Sequence, residues 1–143
     1  MSNFKESLKE GKKSEEAILS IIKQKYPTAY IIEGYYKYYD IFIPEKNLGI
    51  EVKKDVKSQE TGNLVIEVEF NGYPSALSTT RADYWVFYDG ECYIWIEPDK
   101  LRSICPIFEE IRTFVGKGDT KSKKAYLMPK TMIKEFASLI TKS

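Results

Sequence analysis

A chain of 143 residues with a net charge of +1 has room for one ordinary domain, and it lacks the overall basic field that would draw in nucleic acid at long range. Apolar residues at 43% and charged residues at 30% exclude a disordered chain. The absence of histidine excludes Ser-His and Cys-His nucleophilic machinery and histidine-ligated metal sites, so any hydrolysis must rest on carboxylates, lysine and a hard cation.

Phe4, Leu8, Gly11, Ile18 and Ile22 recur at spacings of three, four or seven, which predicts an amphipathic helix over about residues 3–25, stopped by Pro27. Residues 29–33 and 38–43 are rich in aromatic and β-branched types and read as strands around Gly34. Pro44 and Glu45-Lys46-Asn47 make a turn into a strand over 48–54, followed by a polar loop and a strand over 64–70 that ends at Asn71-Gly72. A short helix over 75–82 precedes two strands joined at Asp89-Gly90, a hairpin signal. Residues 99–114 read as a helix broken at Pro106. A basic loop follows, then a short strand at Ala125–Met128, and a final helix from Pro129 to about Ile140. This order implies one α/β domain with a mixed central sheet flanked by helices, a core over about 11–97 and a helical extension over 98–143.

The two cysteines, Cys92 and Cys105, form no CxxC and read as small reduced apolar residues. No apolar run is long enough to span a membrane, and the opening Met-Ser-Asn-Phe-Lys-Glu lacks the layout of a signal peptide. The expectation is a cytoplasmic protein without a membrane partner.

Acid-x-lysine occurs four times, at Glu10/Lys12, Glu51/Lys53, Asp55/Lys57 and Asp119/Lys121. Only Glu51/Lys53 has apolar residues on the alternate positions, Ile50 and Val52. In a strand these alternate, so Glu51 and Lys53 share one face and stand about 6.6 Å apart along the chain. Asp40 lies in the preceding strand and would approach Glu51 if the two strands pair as a hairpin. Two converging carboxylates repel each other, and a divalent cation relieves the repulsion. Mg²⁺ suits an all-oxygen site of one or two carboxylates with retained waters, and the Val52 carbonyl could add an oxygen. Lys53 would then hold the attacking water or neutralise charge on a phosphate.

Tyr39-Asp40, ten intervening residues, then Glu51-Val52-Lys53 resembles the signature of the PD-(D/E)XK nuclease superfamily, with Tyr39 in the place of the usual proline. "GKKSEEAIL" (Gly11 to Leu19) looks like the helical glutamate element that many members carry before the first core strand. Glu15 continues the apolar spacing of the helix and is chosen over Glu16, which is turned about 100° away. Gly62 to Gly90 looks more loosely like small stand-alone nucleases of phage and resolvase-like type. The resemblance covers roughly residues 11–97. It implies a restriction-endonuclease-like core and a Mg²⁺- or Mn²⁺-dependent DNA endonuclease, structure-directed toward a junction, flap or nick, acting in the cytoplasm, that of the host if phage-encoded. Asp40, Glu51 and the Val52 carbonyl would hold the metal, with Glu15 assisting, and Lys53 would position the nucleophile. Small nucleases of this type form homodimers to cut two strands, although no interface is readable here. A non-catalytic nucleic-acid or protein interaction module on the same scaffold is the alternative.

Other residues bear on DNA less directly. Glu67 and Glu69 alternate with Leu64, Ile66, Val68 and Phe70 and could be outer partners beside Glu51 and Lys53, with Glu69 preferred. Lys54, Lys57, Arg81, Lys121, Lys123 and Lys124 are candidate phosphate contacts, as are the hydroxyls of Ser78, Thr79 and Thr80 and the loop lysine Lys117. Tyr26, Tyr30, Tyr35, Tyr36, Tyr38 and Tyr39 are either base-stacking faces or ordinary strand residues with one wet end.

Overall fold

In the computed structural model, residues 4–115 and 121–143 are described, without the side chains of 4–10. Lys117, Asp119 and the side chains of Phe4 and Leu8 lie outside that set. Helix α1 (Phe4–Lys23) comes first, and Lys23 in its last turn faces the negative end of the helix dipole. The fully buried Ile18 and its neighbour Ile22 join Ile41, Ile43, Ile50 and Val86 in one apolar cluster. Burial of an isoleucine such as Ile18 contributes about 2 kcal/mol.

That cluster lies on one face of a six-stranded sheet. In chain order its strands are β1 (Tyr30–Ile31), β2 (Ile41–Ile43), β3 (Leu48–Lys54), β6 (Tyr84–Tyr88), β7 (Cys92–Ile96) and β10 (Leu139–Lys142), which are also their neighbours in space. β3 is antiparallel to β2 and parallel to β6, so the sheet is mixed. A parallel pair requires a crossover. Here it runs through α2 (Ser58–Thr61), β4 (Asn63–Phe70), β5 (Tyr73–Pro74) and a 3-10 turn at Ala76–Ser78.

β4 does not join the central sheet, as the chain order suggested. It pairs with β9 (Ser122–Pro129) in a second sheet of order β5-β4-β9-β8, with β8 at Arg112–Val115. The reason is burial. Leu64 and Ile66 of β4 and Met128 of β9 pack with Trp85, Phe87, Ile94 and Ile96, which project from the face of the first sheet opposite α1. Leu101, Ile104 and Cys105 of α3 (Pro98–Phe108) and Ile133 of α4 (Lys130–Phe136) complete that core. Burial pushes the Cys105 thiol up to about 12, in keeping with its use as an apolar residue.

The C-terminal segment is mixed rather than a helical extension. The expected helix over 99–114 ends at Phe108, and the β-branched and aromatic stretch Arg112–Val115 pairs with β9 instead. The final helix ends at Phe136, and Leu139–Lys142 covers the edge of β7. Lys123 and Lys124 belong to β9 rather than to a loop. The 75–82 segment makes only a 3-10 turn. Among the described residues no helix is long and apolar enough to cross a membrane.

One close approach prepares the site. Gly49 of β3 lies under the ring of Tyr39, and a Cβ built there would stand 2.5 Å from that ring. The ring is also stacked on Phe42, with centroids 5.9 Å apart. Gly49→Ala should therefore destabilise the fold by about 1–3 kcal/mol in urea unfolding. Gly11→Ala, in α1 with nothing within 4 Å, should instead add about 0.5–1 kcal/mol.

Candidate active site

The alternation of β3 sends Ile50 and Val52 toward α1 and Glu51 and Lys53 to the other face. On that face the neighbours across the parallel ladder are Trp85 opposite Glu51 and Phe87 opposite Lys53. The Lys53 ammonium stands 3.2 Å from Glu51 Oε2 and 5.2 Å from the centre of the Trp85 ring. It is held between a carboxylate and an indole face. Trp85 is itself fixed, because its indole N–H donates to Thr80 Oγ1 (3.1 Å), and the Thr80 hydroxyl donates to the Tyr38 carbonyl (3.0 Å).

Asp40 reaches the same place from just before β2. Ile41 pairs with Ile50, and the Asp40 N–H also donates to the Ile50 carbonyl (2.9 Å). Two residues facing one is the arrangement of a β-bulge, which re-aims a side chain. The Asp40 carbonyl accepts from the Ile32 N–H (2.8 Å), and its carboxylate Oδ2 accepts from the Val52 N–H (2.8 Å). The side chain thus continues the ladder to β3 and lies beside Glu51. This is why the expected strand over 38–43 is short.

Glu15 of α1 completes the acidic group. Burial, and then the nearby Asp40 charge, push its carboxyl up to about 7, while Lys12 pulls it down. Burial also pushes Glu51 up to about 7. Lys53 works against this shift, and Asp40 and Glu15 reinforce it. Asp40 is raised by burial, against the Val52 hydrogen bond and Lys53. Three carboxylates all shifted upward by burial mark a place where negative charge is crowded and poorly solvated.

All three lie in one cavity of about 960 Å³ between the first sheet, the Gly34–Tyr39 loop and the start of the second sheet. Six carboxylates and three lysines line it, so its walls carry an excess of acid. Glu16 also lines it but is exposed. Glu67 enters from β4, accepting from the Ser75 hydroxyl (2.7 Å) and lying 3.7 Å from the Lys123 ammonium. Glu69, the residue preferred from sequence, pairs with Lys124 at 3.5 Å and is not among the lining residues. A register shift between Glu67 and Glu69 in the pairing with β9 separates the two.

The other candidates scatter. Lys54, one position on from Lys53, is carried to the opposite face of β3 and is exposed, as is Lys57. Arg81 lies 4.2 Å from the centre of the Tyr38 ring and borders a second, smaller cavity with Asp83 and Arg102. The hydroxyls of Ser78 and Thr80 are committed to the carbonyls of Val68 and Tyr38. Lys121 is exposed just before β9. Trp85, which holds Lys53 in place, was not singled out, and its only sequence signal was the alternation of Trp85 and Phe87 in the strand over 84–88. Thr80 was named for its hydroxyl as a phosphate contact, whereas here that hydroxyl fixes the Trp85 indole.

Comparison with protein-family models, curated proteins and solved structures gives no match in any of the three. The chemistry of the site therefore carries the reading. Among the described residues, no three His, Cys, Asp or Glu side chains stand close enough to cage a metal ion by themselves. Mg²⁺ needs fewer protein ligands, because it keeps waters and takes oxygens from a phosphate. Asp40 and Glu51 each commit one oxygen to a neighbour, and as a hard anionic pair they fit a hard divalent cation.

The raised acids have a consequence for stability. A carboxyl whose folded pKa exceeds its unfolded value favours the fold below the unfolded pKa, and this contribution is lost as pH rises through the folded one. For Glu51 the window runs from 4.5 to about 7. Its ionisation should cost on the order of 3 kcal/mol. In chelator-treated buffer, Glu51→Gln should melt above wild type at pH 8 and level with it near pH 4. Equal melting temperatures at both pH values would contradict this electrostatic picture.

Proposed function

We propose that this chain is a divalent-metal-dependent DNA endonuclease with a restriction-endonuclease-like core of the PD-(D/E)XK type. The observation that carries the reading is the convergence of Asp40, Glu51 and Lys53 across the β2–β3 hairpin, with Glu15 of α1 close enough to raise the Glu51 pKa and to be raised by Asp40. A leading helix, an antiparallel β1-β2-β3 set and a parallel β6 beside β3 support the fold reading. The crossover departs from the expected helix, since it carries only the four-residue α2 and the strands of the second sheet.

Asp40 and Glu51 would hold Mg²⁺ or Mn²⁺, with the Val52 carbonyl and Glu15 as further oxygens. When bound, the cation supplies Lewis-acid polarisation of the phosphate and lowers the pKa of a water. The acidic excess of the cavity makes a cation a precondition for a polyanion to enter. Lys53, braced by Glu51 and Trp85, orients the attacking water and neutralises charge developing on a non-bridging phosphate oxygen. Glu15, titrating at about 7, can accept the proton of that water at neutral pH. Attack at phosphorus with loss of the 3′ oxygen leaves a 5′-phosphate and a 3′-hydroxyl.

Purified protein should cut circular DNA, single-stranded or supercoiled, with Mg²⁺ or Mn²⁺ and be silent in EDTA. Lys53→Ala should lower the rate by about 10²–10⁴-fold while the melting temperature stays close to wild type. Cleavage at the wild-type rate in that variant would reject the assignment.

A further inference from the structure

Taking the nuclease reading as its basis, we infer that the Gly34–Tyr39 loop is a base-stacking platform and that the substrate enters this site as single-stranded DNA. Four of the five residues from 35 to 39 are tyrosines. They are not strand residues, since β1 ends at Ile31 and β2 starts at Ile41. Strand propensity therefore does not account for them. Tyr35, Tyr36 and Tyr39 line the same cavity as Asp40, Glu51 and Lys53.

The cluster is braced from within. Tyr39 is pinned over Gly49 and against Phe42. Tyr36 meets the Tyr38 and Tyr39 rings edge to face, at 5.3 and 5.1 Å. Tyr38 has the Arg81 guanidinium at 4.2 Å and the Lys37 ammonium at 5.3 Å from its centre. At the outer end Tyr35 is 93% exposed and Tyr36 41% exposed. A held set of rings thus ends in open aromatic faces at the wall of an acid-lined cavity, with two cations behind them.

A nucleobase is the chemistry that uses such a face. It stacks on the ring, while Lys37 and Arg81 meet the phosphates of the same strand. In a duplex the bases already stack on each other, so their faces are closed to the loop. The Glu51 side chain in the same cavity is only 15% exposed. An unpaired strand, whose bases splay out, reaches such a group more readily than a double helix does.

The test uses the Lys53→Ala protein with Mg²⁺, fluorescein-labelled dT15 and a 15-base-pair duplex, read by anisotropy, alongside cleavage of both DNAs by wild type. Binding to dT15 should be at least about 10-fold tighter than to the duplex. Adding Tyr35→Ala should weaken dT15 binding by about 5- to 100-fold, with little change for the duplex. Tyr35→Phe should keep wild-type affinity, because stacking needs the ring and not the hydroxyl. Equal affinity for the two DNAs with no effect of Tyr35→Ala would overturn the platform, and duplex cleavage by wild type would then leave the nuclease reading standing. Tyr35-dependent binding of dT15 without cleavage by wild type would support the platform and sink the nuclease reading. No binding to either DNA would sink both.

Discussion

Asp40 joins three stretches of chain with its own atoms. Its N–H bonds to β3, its carbonyl to the chain just after β1, and its carboxylate to the Val52 N–H. A residue at a regular strand position would direct both backbone groups to the same neighbour. Here the bulge divides them, and the side chain takes over the missing rung. The carboxylate is thereby placed beside Glu51 and cannot move to solvent without breaking the ladder. The site's geometry follows from this arrangement. β3 carries Glu51 and Lys53 past Asp40, α1 packs on the sheet through Ile18 and Ile22, and Glu15, within one turn of Ile18, meets the same acids.

This placement runs against electrostatics. Three acids are gathered where water is scarce, and for Glu51 the attraction of Lys53 does not offset the cost of burial. The fold tolerates this because both faces of the sheet are well packed, with α1 on one side and the second sheet with α3 and α4 on the other. Under the proposed reading, the residues held at this cost serve a ligand. A hard dication would be the ligand whose charge and oxygen preference answer the set. The cation would also compensate the acidic excess of the cavity, which otherwise repels a phosphate backbone.

The local part of this arrangement was legible in the sequence. The alternation of Ile50 and Val52 with Glu51 and Lys53 defines β3 residue by residue, and the short turn after Ile43 makes a hairpin that brings Asp40 to Glu51. Contacts across long stretches of chain were not legible. β4 alternates like any half-buried strand, and only its pairing with β9, some 60 residues on, assigns it to a second sheet. Glu67 therefore reaches the cavity from across it, not from the next strand. The brace of Trp85 behind Lys53 depends on the parallel register of β3 and β6, which no short motif encodes. β8 and β10 were read as helix ends because their pairing partners, β9 and β7, decide their conformation.

If Asp40 and Glu51 form one binding site for a divalent cation, calorimetric titration of Mn²⁺ into the wild-type protein at pH 7, repeated in buffers of different ionisation enthalpy, should show one binding transition. Proton release should accompany it, because carboxyls that titrate near 7 must lose protons to bind a metal. Asp40→Asn and Glu51→Gln should each abolish it. Absence of binding in wild type, or binding unchanged in both variants, would mean that Asp40 and Glu51 hold no cation.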